Sequence, residues 1–288
     1  MNKIKLLVGA MTLMAAAVPS THIYAAAMQN SVCLTDAIAR ENQNSNVMFS
    51  PTSLNFALGM LAEGAKGETK KALNEYLGTD DFAAYAKQYM NEIKEYNTED
   101  ENYGYKSKLK IADALWVNNG LTLQEEFRKS TEDNFGAEAQ NLDFSDKENA
   151  CDTINAWCNE NTEGLIPEIM KPDMLNENSE LCLTNTLYFE SGWDKEPWVV
   201  SDEKEKFGEK EETKYMTNSG DGYYENDAAT AFEKYYANGL SFIGILPKEE
   251  GEFTLNELDL EGLLQSEPEY DEVNCKIPML TFETTAEL

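Results

Sequence analysis

Between Leu181 and Trp198 the chain reads LCLTNTLYFESGWDKEPW, a nearly unbroken apolar run with one central Asn185 and a sharp turn into Trp193. The length of Leu181 to Phe189 and its Thr, Tyr and Phe content are those of a strand. A second segment, Leu109 to Val117, sets Leu109, Ile111, Leu115 and Val117 on one side and Ala112, Ala114 and Trp116 on the other, with only Asp113 interrupting. Such a strand needs cover on both faces, because alternation with polar residues is the mark of a sheet with one wet side. The pattern therefore predicts a central strand buried between layers.

Helical spacing supplies candidates for those layers. Ser31 to Arg40 sets Val32, Cys33, Ala37 and Ile38 on one side; Leu54, Leu58 and Leu61 follow a Ser50-Pro51 start and end at Gly64 and Gly67. Ser50 is the type of residue that caps a helix, and Pro is accepted at the first helical position. Ala72 to Leu77 and Phe82 to Tyr96 continue the period, and Thr122 with Glu125 forms a capping-box pattern ahead of Phe127 and Thr131. Cys151, Ile154, Trp157 and Cys158 share the face of a further helix, and Leu255 to Leu264 suggests a short one. Strands are expected at Val47 to Phe49, at Ala137 to Phe144, around Tyr223 to Leu246 with a turn at Asn238-Gly239, and at Val273 to Phe282. Ser201 to Lys214 is a mixed charge run, read as a solvated excursion. Helices and strands are interspersed without a regular βαβ rhythm, linker or repeat, which favours one α+β domain.

Composition narrows the function. Lys3 and Lys5, an apolar run from Leu6 to Val18 and small-residue sites at Ala15 to Ala17 and Ala25 to Ala27 read as a secretory leader spanning residues 1–27, cleaved after Ala17 or Ala27. Export to the extracellular side is expected, without a membrane span. The chain carries 23 basic side chains, two of them in that leader, against 53 acidic ones. Nucleic acid and anionic membranes are thereby disfavoured as partners, since both are bound through Lys and Arg. Five Cys is an odd number, and Cys151 and Cys158 lie roughly 10 Å apart along a helix, too far to bridge. Without a CxxC pair, and with His22 the single His, neither a metal site nor a cofactor is expected, and cleavage after Ala27 would leave no His and so exclude Ser-His-Asp and Cys-His catalysis in their usual forms. An acidic hydrolase would need a carboxylate pair, and no pair stands out.

Several segments resemble the serpin family. Leu181 to Trp198 is similar to the third strand of that family's main sheet, and NVMFSPTSLNFALGMLAEGAKGET at Asn46 to Thr69 resembles its strand-into-helix entry. IADALWV at Ile111, AEAQNLDF at Ala137, INAWCNENTEGLI at Ile154 and FEKYYANGLSFIGILP at Phe232 extend the likeness over nearly the whole chain after the leader, residues 28–288. The resemblance implies an α+β fold of three β-sheets surrounded by about eight or nine helices. It matches Ser50, Ser53 and Asn185 to the polar cluster beneath the opening point of the main sheet, the shutter, and Trp193 to the Trp at the top of that sheet, the breach. Short hydroxyls and an amide can exchange hydrogen bonds as strands separate. On the residues alone, Ser50 reads as a helix cap, Ser53 as a residue hidden on that helix, Asn185 as a partner for buried backbone and Trp193 as an ordinary core residue. Glu190 and Ser191 depart from the family's usual basic residue and Gly, and Leu165 from its frequent Lys.

The implied activity is suicide inhibition of a serine protease, or a cysteine protease, with no catalytic residue, by a monomer when full length. A strained loop is cleaved and inserts into the main sheet as a strand. KIPMLTFETTAEL at Lys276 to Leu288 resembles the strand before that loop, so the resemblance puts the reactive loop beyond Leu288 and implies a C-terminally incomplete domain. A non-inhibitory binding relative and an inactive remnant are the alternatives.

Overall fold

The computed structural model describes residues 30, 32–38, 40, 47–100, 105–176, 178–194, 197–207, 211–248, 257, 259, 262–263 and 273–281. The leader with Ala17, Ala27 and His22, most of Leu255 to Leu264, and the end of the chain from Phe282 lie outside them. Helix α1 comprises residues 30, 32–38 and 40. It is followed by α2 (Pro51–Gly64), α3 (Gly67–Leu77), α4 (Phe82–Glu92) with a 3-10 helix at Ile93–Tyr96, α5 (Glu125–Phe135) and α6 (Lys147–Asn161). The strands are β1 (Glu99–Asp100), β2 (Tyr105–Lys106), β3 (Lys108–Asn118), β4 (Glu138–Leu142), β5 (Leu181–Glu190), β6 (Val199–Val200), β7 (Glu205–Phe207), β8 (Glu211–Thr213), β9 (Tyr215–Gly220), β10 (Gly222–Glu225), β11 (Ala229–Tyr235), β12 (Ser241–Pro247) and β13 (Val273–Pro278).

The two segments read first as strands are neighbours. The main sheet has the order β4-β3-β5, with β3 and β5 antiparallel from Lys108 opposite Glu190 to Val117 opposite Leu181. β3 and β4 are parallel, joined through α5, so one strand-helix-strand crossover exists where the pattern showed no such rhythm. One face carries Leu109 and Ile111 against Phe56, Met60, Phe82, Tyr89 and Phe135, all buried, from α2, α4 and α5. The opposite face sets Ala114 and Trp116 against Ile154, Trp157 and Cys158 of α6. Cover on both sides is what β3 required, and each large side chain fully buried there contributes about 1.5–3 kcal/mol.

Four local expectations are corrected. Residues 47–50 form no strand, and Met48 in that extended lead is 62% exposed. The buried stripe of α2 is Asn55, Phe56, Gly59, Met60 and Ala62, while Leu61 is exposed and Leu54 and Leu58 are half-buried. That helix is apolar almost all round, so spacing alone offers two stripes, and Phe56 wins because it meets the Phe82 and Phe135 rings. On α1 only Val32 and Ile38 of the expected face are buried; Cys33 and Ala37 are exposed. The Thr122–Glu125 capping box does not form, because α5 starts at Glu125 after Gln124, with no side-chain cap. Leu121 is instead tied to both neighbouring strands, its amide donating to the Asn118 carbonyl and its own carbonyl accepting from Asn141 Nδ2.

Two further three-stranded sheets, β13-β9-β6 and β10-β11-β12, are antiparallel among the described residues. The charge run folds partly as the β7-β8 hairpin, tied to β13 by Lys276 on Glu205 at 2.7 Å. The turn at Asn238-Gly239 forms as expected, with Gly239 at φ 86, a left-handed conformation that a side chain would strain.

Candidate functional site

Asp113 and Asn185 are cross-strand partners at the middle of the β3–β5 pair. Successive residues of a strand point to opposite faces, so Asp113 and Asn185 share the face that α2, α4 and α5 cover. Asn185 Nδ2 donates to Asp113 Oδ1 at 2.8 Å. Asp113 is 1% exposed, and among the described residues neither its Oδ2 nor Asn185 Oδ1 has a hydrogen-bond partner. Burial pushes the Asp113 carboxyl up to about 7, opposed in part by the Asn185 hydrogen bond. On the other face the same two strands are joined again, by Trp116 Nε1 donating to Thr184 Oγ1 at 2.9 Å.

Ser50 and Ser53 sit where α2 begins, and α2 packs against β5. Ser50 Oγ accepts from the Ser53 amide at 3.2 Å, which makes it the N-cap, with Pro51 in the first turn. Among the described residues no hydrogen bond joins either serine to Asn185, whose bond goes to Asp113. Asp113 was visible in the sequence only as an interruption of an apolar strand. A lone carboxylate in a doubly covered strand is itself the signal, since it must be paired or neutral.

Trp193 lies three residues beyond β5 and ties it to the end of β11. It forms a β-bridge with Tyr236, and their rings stack at 4.4 Å with an 18° tilt. Trp198 and Phe242 contact Trp193 edge-on at 5.5 and 6.0 Å, and Phe189 of β5 meets Tyr236 at 4.9 Å. Backbone bonds hold the same turn, from the Ala237 amide to the Gly192 carbonyl and from the Asp194 amide to the Tyr235 carbonyl. Ser191 Oγ lies 2.7 Å from Ser107 Oγ, so the position that departs from the usual Gly anchors the start of this turn to the residue before β3.

The site holds strands together. Burial raises the thiols of Cys151, Cys158, Cys182 and Cys275, so none is a ready thiolate at neutral pH. Among the described residues no three His, Cys, Asp or Glu side chains converge as for a metal ion, and no helix is long and apolar enough to cross a membrane.

A family model described as Serpin (serine protease inhibitor) matches residues 25–288. An uncharacterized serpin-like protein of Methanosarcina acetivorans is 30% identical over 264 residues, which cover 84% of this chain and 59% of that protein. Neuroserpin of Homo sapiens is 29% identical over 168 residues, covering 57% of this chain and 39% of neuroserpin. This chain therefore spans well under two thirds of either relative's length. Among solved structures, cleaved Serpin 42Da superposes with a TM-score of 0.72 at 24% identity, covering 90% of this chain and 69% of the other.

Proposed function

The chain belongs to the serpin family, and from that premise we propose that it is part of a secreted protease inhibitor that acts by inserting a cleaved loop into the main sheet. The family is one of protease inhibitors and not of enzymes, and the target in this reading is a serine protease, or a cysteine protease. The observation that carries the reading is the main sheet itself. β5 is paired with β3 along its whole length, from Lys108 opposite Glu190 to Val117 opposite Leu181, and α2 packs against it. In this reading the cleaved loop enters beside β5 as an added strand, held through main-chain hydrogen bonds. Asn185 and the α2 start with Ser50 and Ser53 then act as the shutter that lets the sheet part, and Trp193 secures the end of β5 where insertion begins. In this reading no side chain of the inhibitor is a catalyst; the protease supplies the chemistry and loop insertion traps it.

The test is to express the reading frame in full, with any residues it encodes beyond Leu288, and incubate the product with a panel of serine and cysteine proteases. The expected result is an adduct of the summed mass that survives denaturing electrophoresis. Plain cleavage by every protease of the panel would refute the inhibitor. Export is checked separately, by sequencing the amino terminus of protein from the medium, where Val18 or Met28 is expected first.

A further inference from the structure

The single hydrogen bond between Asn185 Nδ2 and Asp113 Oδ1 leaves an orphaned acceptor on each of the two groups it joins, Asp113 Oδ2 and Asn185 Oδ1. Both are buried, and with Asp113 ionised both can only accept. One proton on Asp113 Oδ2 would convert the pair into a carboxylic acid facing an amide, each of which has one donor and one acceptor. We infer that Asp113 is held as the neutral acid in the closed main sheet and that its proton makes a second hydrogen bond, Oδ2–H to Asn185 Oδ1, so that this pair is a proton-operated latch between β3 and β5.

The surroundings favour the neutral form. Burial raises the Asp113 carboxyl, and no neighbouring charge contributes to that shift. α2 presents Ser50, Ser53 and Asn55 near its start; its one ionisable residue, Glu63, lies near its far end and accepts from Ser130. On β3, Lys108 and Lys110 are even-numbered and so point to the opposite face, where Lys108 pairs with Glu163. On β5, Cys182, Tyr188 and Glu190 also point to the opposite face, and Tyr188 donates to Glu190 at 2.8 Å. Glu138 of β4 is exposed, and Lys94 of the 3-10 helix is exposed and bonded to Asn91 at 3.1 Å. Over the same face, Lys87 of α4 and Lys129 of α5 are exposed and Arg128 of α5 is paired with Glu125 and Glu132, so among the described residues no cation is bonded to the carboxyl. Loss of the proton puts a bare carboxylate beside an unpaired amide oxygen in the middle of the sheet, and the β3–β5 joint weakens.

The sign follows from linkage. An acid whose folded pKa lies above its unfolded one binds more protons folded, so stability is fully present at low pH and falls as pH rises, levelling off above the folded value, about 7. Urea unfolding of the chain and of Asp113→Asn, which keeps a donor and an acceptor at that position, is compared from about pH 5 to about pH 8. Within that window and below neutrality, the unfolding equilibrium of the natural chain relative to the variant should shift by up to roughly tenfold per pH unit. Parallel curves overturn the proposal. A second measurement needs no variant: with 13C-labelled aspartate carboxyls, one resonance should titrate near neutrality, and if every aspartate titrates below about pH 5.5 the latch does not exist. Neither readout depends on protease inhibition, so the latch and the proposed function fail independently.

Discussion

Gly59 lies in the buried stripe of α2, and replacing it with Ala separates what the helix wants from what the core allows. In an exposed helix interior Gly→Ala stabilises by about 1 kcal/mol, because Gly has more backbone freedom to lose. Here a Cβ at position 59 would stand 2.3 Å from Phe82 Cδ1, 2.7 Å from Phe82 Cε1 and 3.1 Å from Phe135 Cε1. The Phe82 ring cannot simply swing aside, since it meets Phe56 edge-on at 6.0 Å, Tyr85 at 5.2 Å and Phe135 stacked at 6.4 Å. Relieving an overlap of this depth moves α2 away from α4 or forces the ring off its rotamer. Overpacking of this kind costs about 1–3 kcal/mol, and with the rings locked the upper end applies. Subtracting the helix gain leaves a net loss of about 2 kcal/mol. With a urea m-value of about 3 kcal/mol/M, the midpoint should fall by about 0.7 M, read by tryptophan fluorescence at equilibrium. The control is Gly64→Ala at the exposed end of α2, whose Cβ would lie 3.1 Å from the edge of Phe127, and it should change the midpoint little. A midpoint for Gly59→Ala equal to or above that of the natural chain would refute the packing argument, because propensity would then have outweighed the clash.

Two further outcomes are expected. In a double-mutant cycle of Trp116→Phe and Thr184→Val, the indole–hydroxyl bond across β3 and β5 should appear as a coupling of about 1 kcal/mol, and a coupling below about 0.3 kcal/mol would show that the bond adds nothing. Lys234, 2% exposed, lies 3.3 Å from the Asp221 carboxylate; Lys234→Met removes the cation beside that carboxylate, which keeps its hydrogen bond from the Tyr235 amide, and should cost about 3 kcal/mol, part of it recovered by adding Asp221→Leu, whereas a loss under about 1 kcal/mol would refute the pairing.

Much of the main sheet was legible in advance. Lys108–Asn118 and Leu181–Glu190 stand within two residues of the segments read as strands, because a doubly covered strand shows apolar side chains at odd and even positions alike. Ser50-Pro51 was legible as a helix start for the same local reason, and its cap forms. The candidate site was legible only in part. Ser50, Ser53, Asn185 and Trp193 could be named from the family's motifs, but Asp113, the partner that Asn185 meets, was visible only as a flaw in a pattern. Trp193's stack on Tyr236 joins residues 43 positions apart in sequence, a pairing no local signal carries.

Periodicity and residue chemistry were readable along the chain: the main-sheet strands and the helix that starts at Ser50-Pro51, the turn that needs Gly239, and that no histidine other than His22 is present. These depend on side-chain spacing and residue type along a few turns of chain. Only the tertiary structure decided which stripe of the nearly all-apolar α2 is buried, that α5 starts at Glu125 without its capping box, and that one crossover makes β4 parallel to β3. It alone set Asp113 opposite Asn185 beneath a layer of helices, and that placement turns an ordinary acid into one held near neutrality. The physical reason is common to all of these. Burial and register are properties of a segment's neighbours in space, and here those neighbours come from parts of the chain far apart in sequence.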